Sequence, residues 1–283
     1  MKYFLFIFLL FSTVTNAEQF QAPLTNTQWL VTESPLECVL SQPIEGFGEA
    51  KFVRRSGSNS NFSLIYTSRS HPAEVGTLNF EIAEAPWQNI DQRISLASMP
   101  SVENETTFTL TGKKAKEALT HMQEGRFPSL RYRSHSQNGE ISALFSTVHL
   151  NDSMPDFLNC LDKLSPTNFD DIRKLTVYYE LEKFDLSDKA KASLKRIADY
   201  VKIDSEITEI AVNGYTDNHG RKRLNIELSE ARALAIKTYL VEQGEVPENL
   251  ITIAYHREFN PAKTNKTQKG RSYNRRAEIE VFR

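Results

Sequence analysis

Two kinds of hydrophobic patterning divide this chain. Up to about residue 164, short runs alternate apolar and polar positions, and clusters of Ser, Gly, Asn and Pro separate them. Residues 47–53, 61–67, 106–111, 130–133 and 141–149 share the period of two that sends alternate side chains to opposite faces of a strand. The stretch 55–61, Arg-Ser-Gly-Ser-Asn-Ser-Asn, is rich in turn formers and predicts a hairpin loop. Ala115, Ala118, Leu119 and Met122 instead fall at helical spacing, so 113–125 predicts one helix with Gly125 as its cap. A second short helix is expected over 156–164. This half reads as mainly antiparallel β, barrel or sandwich-like.

The segment Ser165-Pro166-Thr167-Asn168 has no apolar period and punctuates the chain. Beyond it, strands and helices alternate. Residues 175–181 predict a strand, and Ser187 then caps a helix whose apolar face is Ala190, Leu194, Ile197, Ala198 and Val201. A strand over 207–214 and a long helix over 222–244 follow. Strands over 250–254 and 277–282 end the chain, and the order implies an α+β sandwich with helices on one face of a mixed sheet. On the long helix, Asn225, Ser229 and Arg232 share one face. Leu224, Leu228, Ala231 and Ala235 form the neighbouring stripe, which is expected to dock on the sheet.

The first residues change the picture of where the protein works. Lys2 precedes the apolar run 3–11, and Thr15-Asn16-Ala17 offers small residues where a signal peptide is cut. The run is much shorter than the roughly 20 residues a membrane helix needs, and no second such run follows, so an exported chain without a transmembrane segment is expected. Cys38 and Cys160 are the only two cysteines. In an oxidising compartment they are expected to pair and to close the first half. The organisation read from these signals is a signal peptide over 1–17, a β-rich domain over 18–164, a linker over 165–174 and a final domain over 175–283.

Charge is nearly balanced, with 34 Lys and Arg against 36 Asp and Glu, so no electrostatic footprint for nucleic acid is present. The six histidines are scattered. There is no HExxH, no cysteine cluster for zinc, no GxSxG elbow and no SxxK. Gly46-Phe47-Gly48 lacks the third glycine and the following helix of a nucleotide loop. Neither an enzyme, a metal site nor a cofactor is expected.

The informative polar residues lie late in the chain. Gly214-Tyr215-Thr216-Asp217 leads from strand to helix, and Leu224-Asn225, Leu228-Ser229 and Ala231-Arg232-Ala233 follow on that helix. Gly270-Arg271-Ser272-Tyr273-Asn274-Arg275-Arg276 precedes the last strand. A carboxylate and a guanidinium on one pocket rim suit a ligand bearing both an ammonium and a carboxylate. Asp217 is expected just before the helix start, where free backbone N–H groups favour anions. His219 is expected to be exposed and incidental, and Arg271 and Arg276 to form an exposed ion-pairing face.

Residues 175–283 resemble the OmpA-like peptidoglycan-binding family in these motifs and their spacing. The resemblance implies that Asp217 and Arg232, with Thr216, Asn225 and Arg275, clasp the diaminopimelate of the cell-wall stem peptide. The family usually has Gly-His-Thr-Asp, and Tyr215 stands at the His position here. The stretch 29–42, from Trp29 through Cys38 to Gln42, with Gly46 to Ala50, closely resembles the family of periplasmic T-ring components of sodium-driven polar flagellar motors. That resemblance implies a first domain docking on the flagellar basal body and on a MotX-like T-ring partner. It also implies a second domain anchored to peptidoglycan, with the stator complex held indirectly. The alternative reading is a generic OmpA-like periplasmic cell-wall anchor unrelated to motility.

Overall fold

A computed structural model describes residues 18–25, 27–58, 62–88, 92–135 and 139–283. The expected signal peptide, and positions 59–61 of the expected hairpin loop, lie outside the described residues. The described chain falls into two compact units that divide between Leu164 and Ser165, with residues 56–58 grouped in the second.

The first unit contains two five-stranded sheets. One runs in the order β1 (Glu18–Gln21), β10 (Gly139–Leu144), β9 (Phe127–Ser134), β6 (Gly76–Ala83) and β7 (Arg93–Ser101). The other runs β2 (Leu30–Glu33), β3 (Glu37–Ile44), β4 (Gly48–Arg55), β5 (Phe62–Ser68) and β8 (Thr107–Thr111). Every pairing is antiparallel except β1 with β10. On β5 the alternation is complete: Phe62, Leu64, Tyr66 and Ser68 are buried while the residues between them are half-buried. Leu40, Phe52, Leu64 and Tyr66 of one sheet join Phe80, Leu130, Tyr132 and Ile141 of the other in a single apolar core. The Gly46-Phe47-Gly48 turn joins β3 to β4. Gly46 has φ 77°, and a side chain on Gly48 would run into the Thr67 carbonyl.

Helix α1 (Lys113–Gln123) buries Ala115, Ala118 and Met122 as the spacing predicts. Helix α2 (Leu150–Lys163) starts six residues earlier than expected and contains Pro155. Leu150, Met154, Phe157 and Cys160 all face the core. Their burial outweighs the one backbone hydrogen bond that proline removes. Cys160 is joined to Cys38 of β3 by a disulfide with Cα atoms 5.9 Å apart, tying helix to sheet across 122 residues.

The second unit opens with a short helix, α3 (Phe169–Ile172), inside the stretch expected to be linker. Asn168 and Asp171 cap it reciprocally, a local arrangement that stabilises even one turn. The sheet has the order β11 (Lys174–Tyr178), β14 (Arg276–Phe282), β12 (Glu209–Gly214) and β13 (Ile251–Tyr255). It is mixed: β12 and β13 are parallel, and the other pairs antiparallel. Helix α4 (Asp188–Val201) is capped by the Ser187 hydroxyl, which accepts from the Ala190 N–H at 3.2 Å. Helix α5 (Lys222–Thr238) crosses from β12 to β13 and ends in one wider turn over Tyr239–Gln243.

The face that α5 turns inward is the reverse of the expected one. Asn225, Ser229, Arg232, Ala233 and Ile236 are buried, whereas Leu224 is 55% exposed and Leu228 and Ala231 half-buried. Backbone approach is the reason at one point. Gly214, at the end of β12, lies so close to the helix that a Cβ there would meet the Ser229 carbonyl. Only small or well hydrogen-bonded residues fit that seam.

Candidate functional site

The end of β12 and the loop after it carry Thr216 and Asp217. Helix α5 contributes Asn225 and Arg232, and Arg275 follows α6 (Gln268–Asn274) directly. These five residues line one cavity of about 550 Å³. The structure thus brings together all five positions singled out in the sequence, although the last two lie 43 residues apart.

Arg232 is wholly buried. Its Nη1 donates to the Tyr215 carbonyl at 2.7 Å, its Nε to the Lys183 carbonyl at 3.0 Å and its Nη2 to the Glu180 carbonyl at 3.3 Å. The guanidinium also lies 5.1 Å from the centre of the Tyr179 ring, whose hydroxyl donates to the Arg232 carbonyl at 3.2 Å. Burial pulls its pKa down to about 10, which leaves it charged at neutral pH. A guanidinium has five N–H donors, and three are engaged by these carbonyls. Arg232 therefore pins the 180–183 loop beside the cavity in addition to lining it.

Asp217 is 3% exposed. Its Oδ2 accepts from Arg275 Nη1 at 2.9 Å, and its Oδ1 accepts from the His219 backbone N–H at 3.0 Å. The Asp217 carbonyl accepts from Asn225 Nδ2 at 3.3 Å. The expectation that Asp217 sits at the helix start needs correction. Arg221 is the residue that precedes α5, and Asp217 closes a tight turn on its own loop instead. Arg275 also donates through Nε to the Tyr179 carbonyl at 3.2 Å. The Thr216 hydroxyl is buried with no hydrogen-bond partner among the described residues, a polar group left for something in the cavity.

The remaining residues of the C-terminal motif divide by environment. Asn274 is buried and braces the preceding loop through Lys263 and Asn265. Arg276, expected to be exposed, is 4% exposed: its guanidinium lies 4.0 Å from the Tyr215 ring centre and pairs with Glu278 at 2.6 Å. Arg271 bonds the Asn265 carbonyl rather than an acid. Tyr215 stacks on His256 with ring centres 4.9 Å apart and does not line the cavity, so its departure from the usual histidine leaves the lining unchanged. His219 is exposed, but it lies on the cavity rim and its N–H holds Asp217.

Leu181, Glu182, Phe184, Gly220 and Glu227 also line the cavity and escaped the sequence reading, while Leu224, Leu228 and Ala231, expected to dock on the sheet, form part of its wall instead. Leu181, Phe184 and Leu224 are apolar yet 58%, 47% and 55% exposed. The cavity thus combines a charged floor with apolar walls, suited to a zwitterionic centre carried on an aliphatic stem. Another cavity, of about 480 Å³, lies beside the β3–β4 turn, but its charged lining residues Glu45 and Arg69 are exposed.

This fold defines an α+β module that follows a disulfide-closed β domain, and residues 178–275 match the OmpA family. Residues 20–166 match the MotY N-terminal domain family, so the chain belongs to the MotY family. It is 28% identical over 274 residues to the sodium-type flagellar protein MotY of Vibrio parahaemolyticus, covering 96% of this chain and 93% of that protein. The second unit is 36% identical over 104 residues to outer membrane protein A of Bordetella avium, covering 37% of this chain and 53% of that protein. It is also 40% identical over 88 residues to the peptidoglycan-binding protein ArfA of Mycobacterium tuberculosis, covering 31% of this chain and 26% of that protein. The chain is thus a homologue of a sodium-type flagellar protein and carries an OmpA-family domain. Among the described residues no helix is long and apolar enough to cross a membrane.

Proposed function

We propose that this protein is a non-enzymatic, periplasmic component of the flagellar motor. Its first unit docks on the basal body and a MotX-like partner in the T ring. Its second unit grips the diaminopimelate-containing stem peptide of peptidoglycan, and together they help hold stator units in place. The observation that carries the wall-binding half is the cavity itself, where a buried carboxylate and two guanidinium groups converge from three separate segments. Arg232 and Arg275 supply donors for the ligand's carboxylate, and the acidic lining supplies acceptors for its ammonium. The unpartnered Thr216 hydroxyl adds one further polar contact. Similarity to MotY along nearly the whole length of both proteins supports the motor half.

The test is co-sedimentation of the protein with insoluble cell-wall sacculi. Asp217→Asn keeps the shape and removes the charge, and is expected to weaken pelleting about tenfold, the worth of one charge-assisted contact. Unchanged pelleting by a folded Asp217→Asn protein overturns the site. For the motor half, a deletion strain is expected to lose swimming while keeping normal filaments. A fragment ending at Leu164 is expected to localise at the flagellated pole. Normal swimming in the deletion strain leaves a wall anchor without a motility role.

A further inference from the structure

Val75 and Val102 are 73% and 65% exposed, more than any other large apolar side chain among the described residues. They flank the last pair of the β6–β7 ladder, Gly76 with Ser101, and so stand together at one end of the sheet. Single exposed apolar residues are ordinary on a protein surface, but these two are neighbours and firmly held. The Val75 N–H donates to Glu103 Oε2 at 3.3 Å, and the Val102 N–H donates to Glu105 Oε2 at 3.1 Å. The Glu105 N–H donates back to the Val102 carbonyl at 3.1 Å, closing a turn in which Asn104 has φ 61°. The Asn104 N–H donates to the Ala73 carbonyl at 2.9 Å, and the Ser101 hydroxyl to the Glu74 carbonyl at 2.6 Å. His135 lies between two of the acids, its Nε2 2.7 Å from Glu103 and its Nδ1 3.4 Å from Glu74. This network presents the valines as a stiff apolar knob.

Stiffness and charge together define what the knob fits. Side chains that are already fixed lose little freedom on binding, so the apolar area they bury counts more fully toward affinity. Glu74, Glu103 and Glu105 edge the knob against Arg133, 3.8 Å from Glu74, and His135, which leaves the rim acidic. That rim opposes an anionic lipid surface or an acidic partner and favours a basic one. We propose that this knob is the docking contact of the first unit and inserts into an apolar socket edged by Lys or Arg on a protein of the basal body. The proposal rests on the reading that the first unit docks there.

The test pellets the full-length secreted chain with hook–basal bodies purified from a strain that lacks it. The double variant Val75→Ser/Val102→Ser is expected to weaken pelleting about tenfold or more, the worth of one buried valine side chain at least. Glu103→Gln keeps an acceptor for the Val75 N–H and removes a rim charge, so its pelleting is expected to fall less steeply with salt than that of the wild type. Both variants are expected to keep the wild-type tryptophan unfolding transition, which separates lost docking from a lost fold. Undiminished pelleting by the double variant overturns the knob and leaves docking of the first unit intact. Equal salt dependence in wild type and Glu103→Gln overturns the basic socket. Self-association of the wild-type chain that the double variant abolishes assigns the knob to a second copy and overturns the proposal too. No pelleting of the wild type overturns both the knob and the docking reading.

Discussion

Replacing Arg232 with alanine separates two roles that the side chain combines. The substitution removes three hydrogen bonds to backbone carbonyls, those of Tyr215, Lys183 and Glu180. The bond to Tyr215 is buried, so that carbonyl loses its partner without access to water, a loss of about 2 kcal/mol. The other two border the cavity, where water can replace the guanidinium, and each loses about 1 kcal/mol. Losing the contact with the Tyr179 ring adds about 1 kcal/mol. Against this stands relief of the desolvation that lowers the Arg232 pKa. The expected net loss is about 3 to 4 kcal/mol. At a urea slope of about 1.5 to 2 kcal/mol per molar, the midpoint falls by roughly 2 M. Both tryptophans, Trp29 and Trp87, lie in the first unit, so their emission serves as an internal control. Far-UV circular dichroism follows the helices of both units, so its change beyond the tryptophan transition reports α4 and α5 of the second. The expected result is an unmoved tryptophan transition with a circular dichroism transition shifted to lower urea. A shift worth less than about 0.5 kcal/mol would refute the clamp of Arg232 on the 180–183 loop. Arg232→Lys is expected to recover only part of the loss, since an ammonium cannot span three divergent carbonyls.

Other expected outcomes test separate parts of the structure. Reducing the Cys38–Cys160 bridge, which spans 122 residues, is expected to destabilise the first unit by about 5 kcal/mol on loop-closure entropy, read as an earlier tryptophan transition. Tyr215→His is expected to leave sacculus pelleting unchanged, because the ring faces His256 and Arg276 and not the cavity; a large loss of pelleting would contradict that placement. Glu180, Glu245 and Glu248 have pKa values lowered by hydrogen bonds from Lys183, Lys202 and Lys237 and by the charges of those lysines. The folded state then binds fewer protons than the unfolded one. This contribution is present above the ordinary glutamate pKa of about 4.3 and is lost as pH falls through it to the lowered values. All three carboxylates are exposed, so the acid loss is expected to be small and to shrink in high salt, as urea midpoints of the second unit would record.

Local signals in the sequence carried much of the architecture. Alternation placed five of the ten described strands of the first unit, β4, β5, β8, β9 and β10, because a period of two matters wherever one face of a sheet is buried. Two cysteines in a chain expected to be exported specified one disulfide, and Ser187 marked the start of α4 through its own side chain. The grouping of Asp217 with Arg232 was also legible, since strand end and following helix bring them together within 15 residues. Tertiary structure alone decided the inward face of α5. The sequence shows Leu224, Leu228 and Ala231 as an ordinary core stripe, yet Gly214 approaches Ser229 so closely that the small and polar face is the one that fits. It also decided the partners of the charges. Asp217 meets Arg275 across 58 residues, Arg276 disappears under Tyr215, and Arg232 spends donors on the carbonyls of a loop some 50 residues away. Helical and strand periods are properties of neighbouring residues, so one chain segment can display them. Which guanidinium meets which carbonyl depends on how separate segments stack, and no local pattern encodes that.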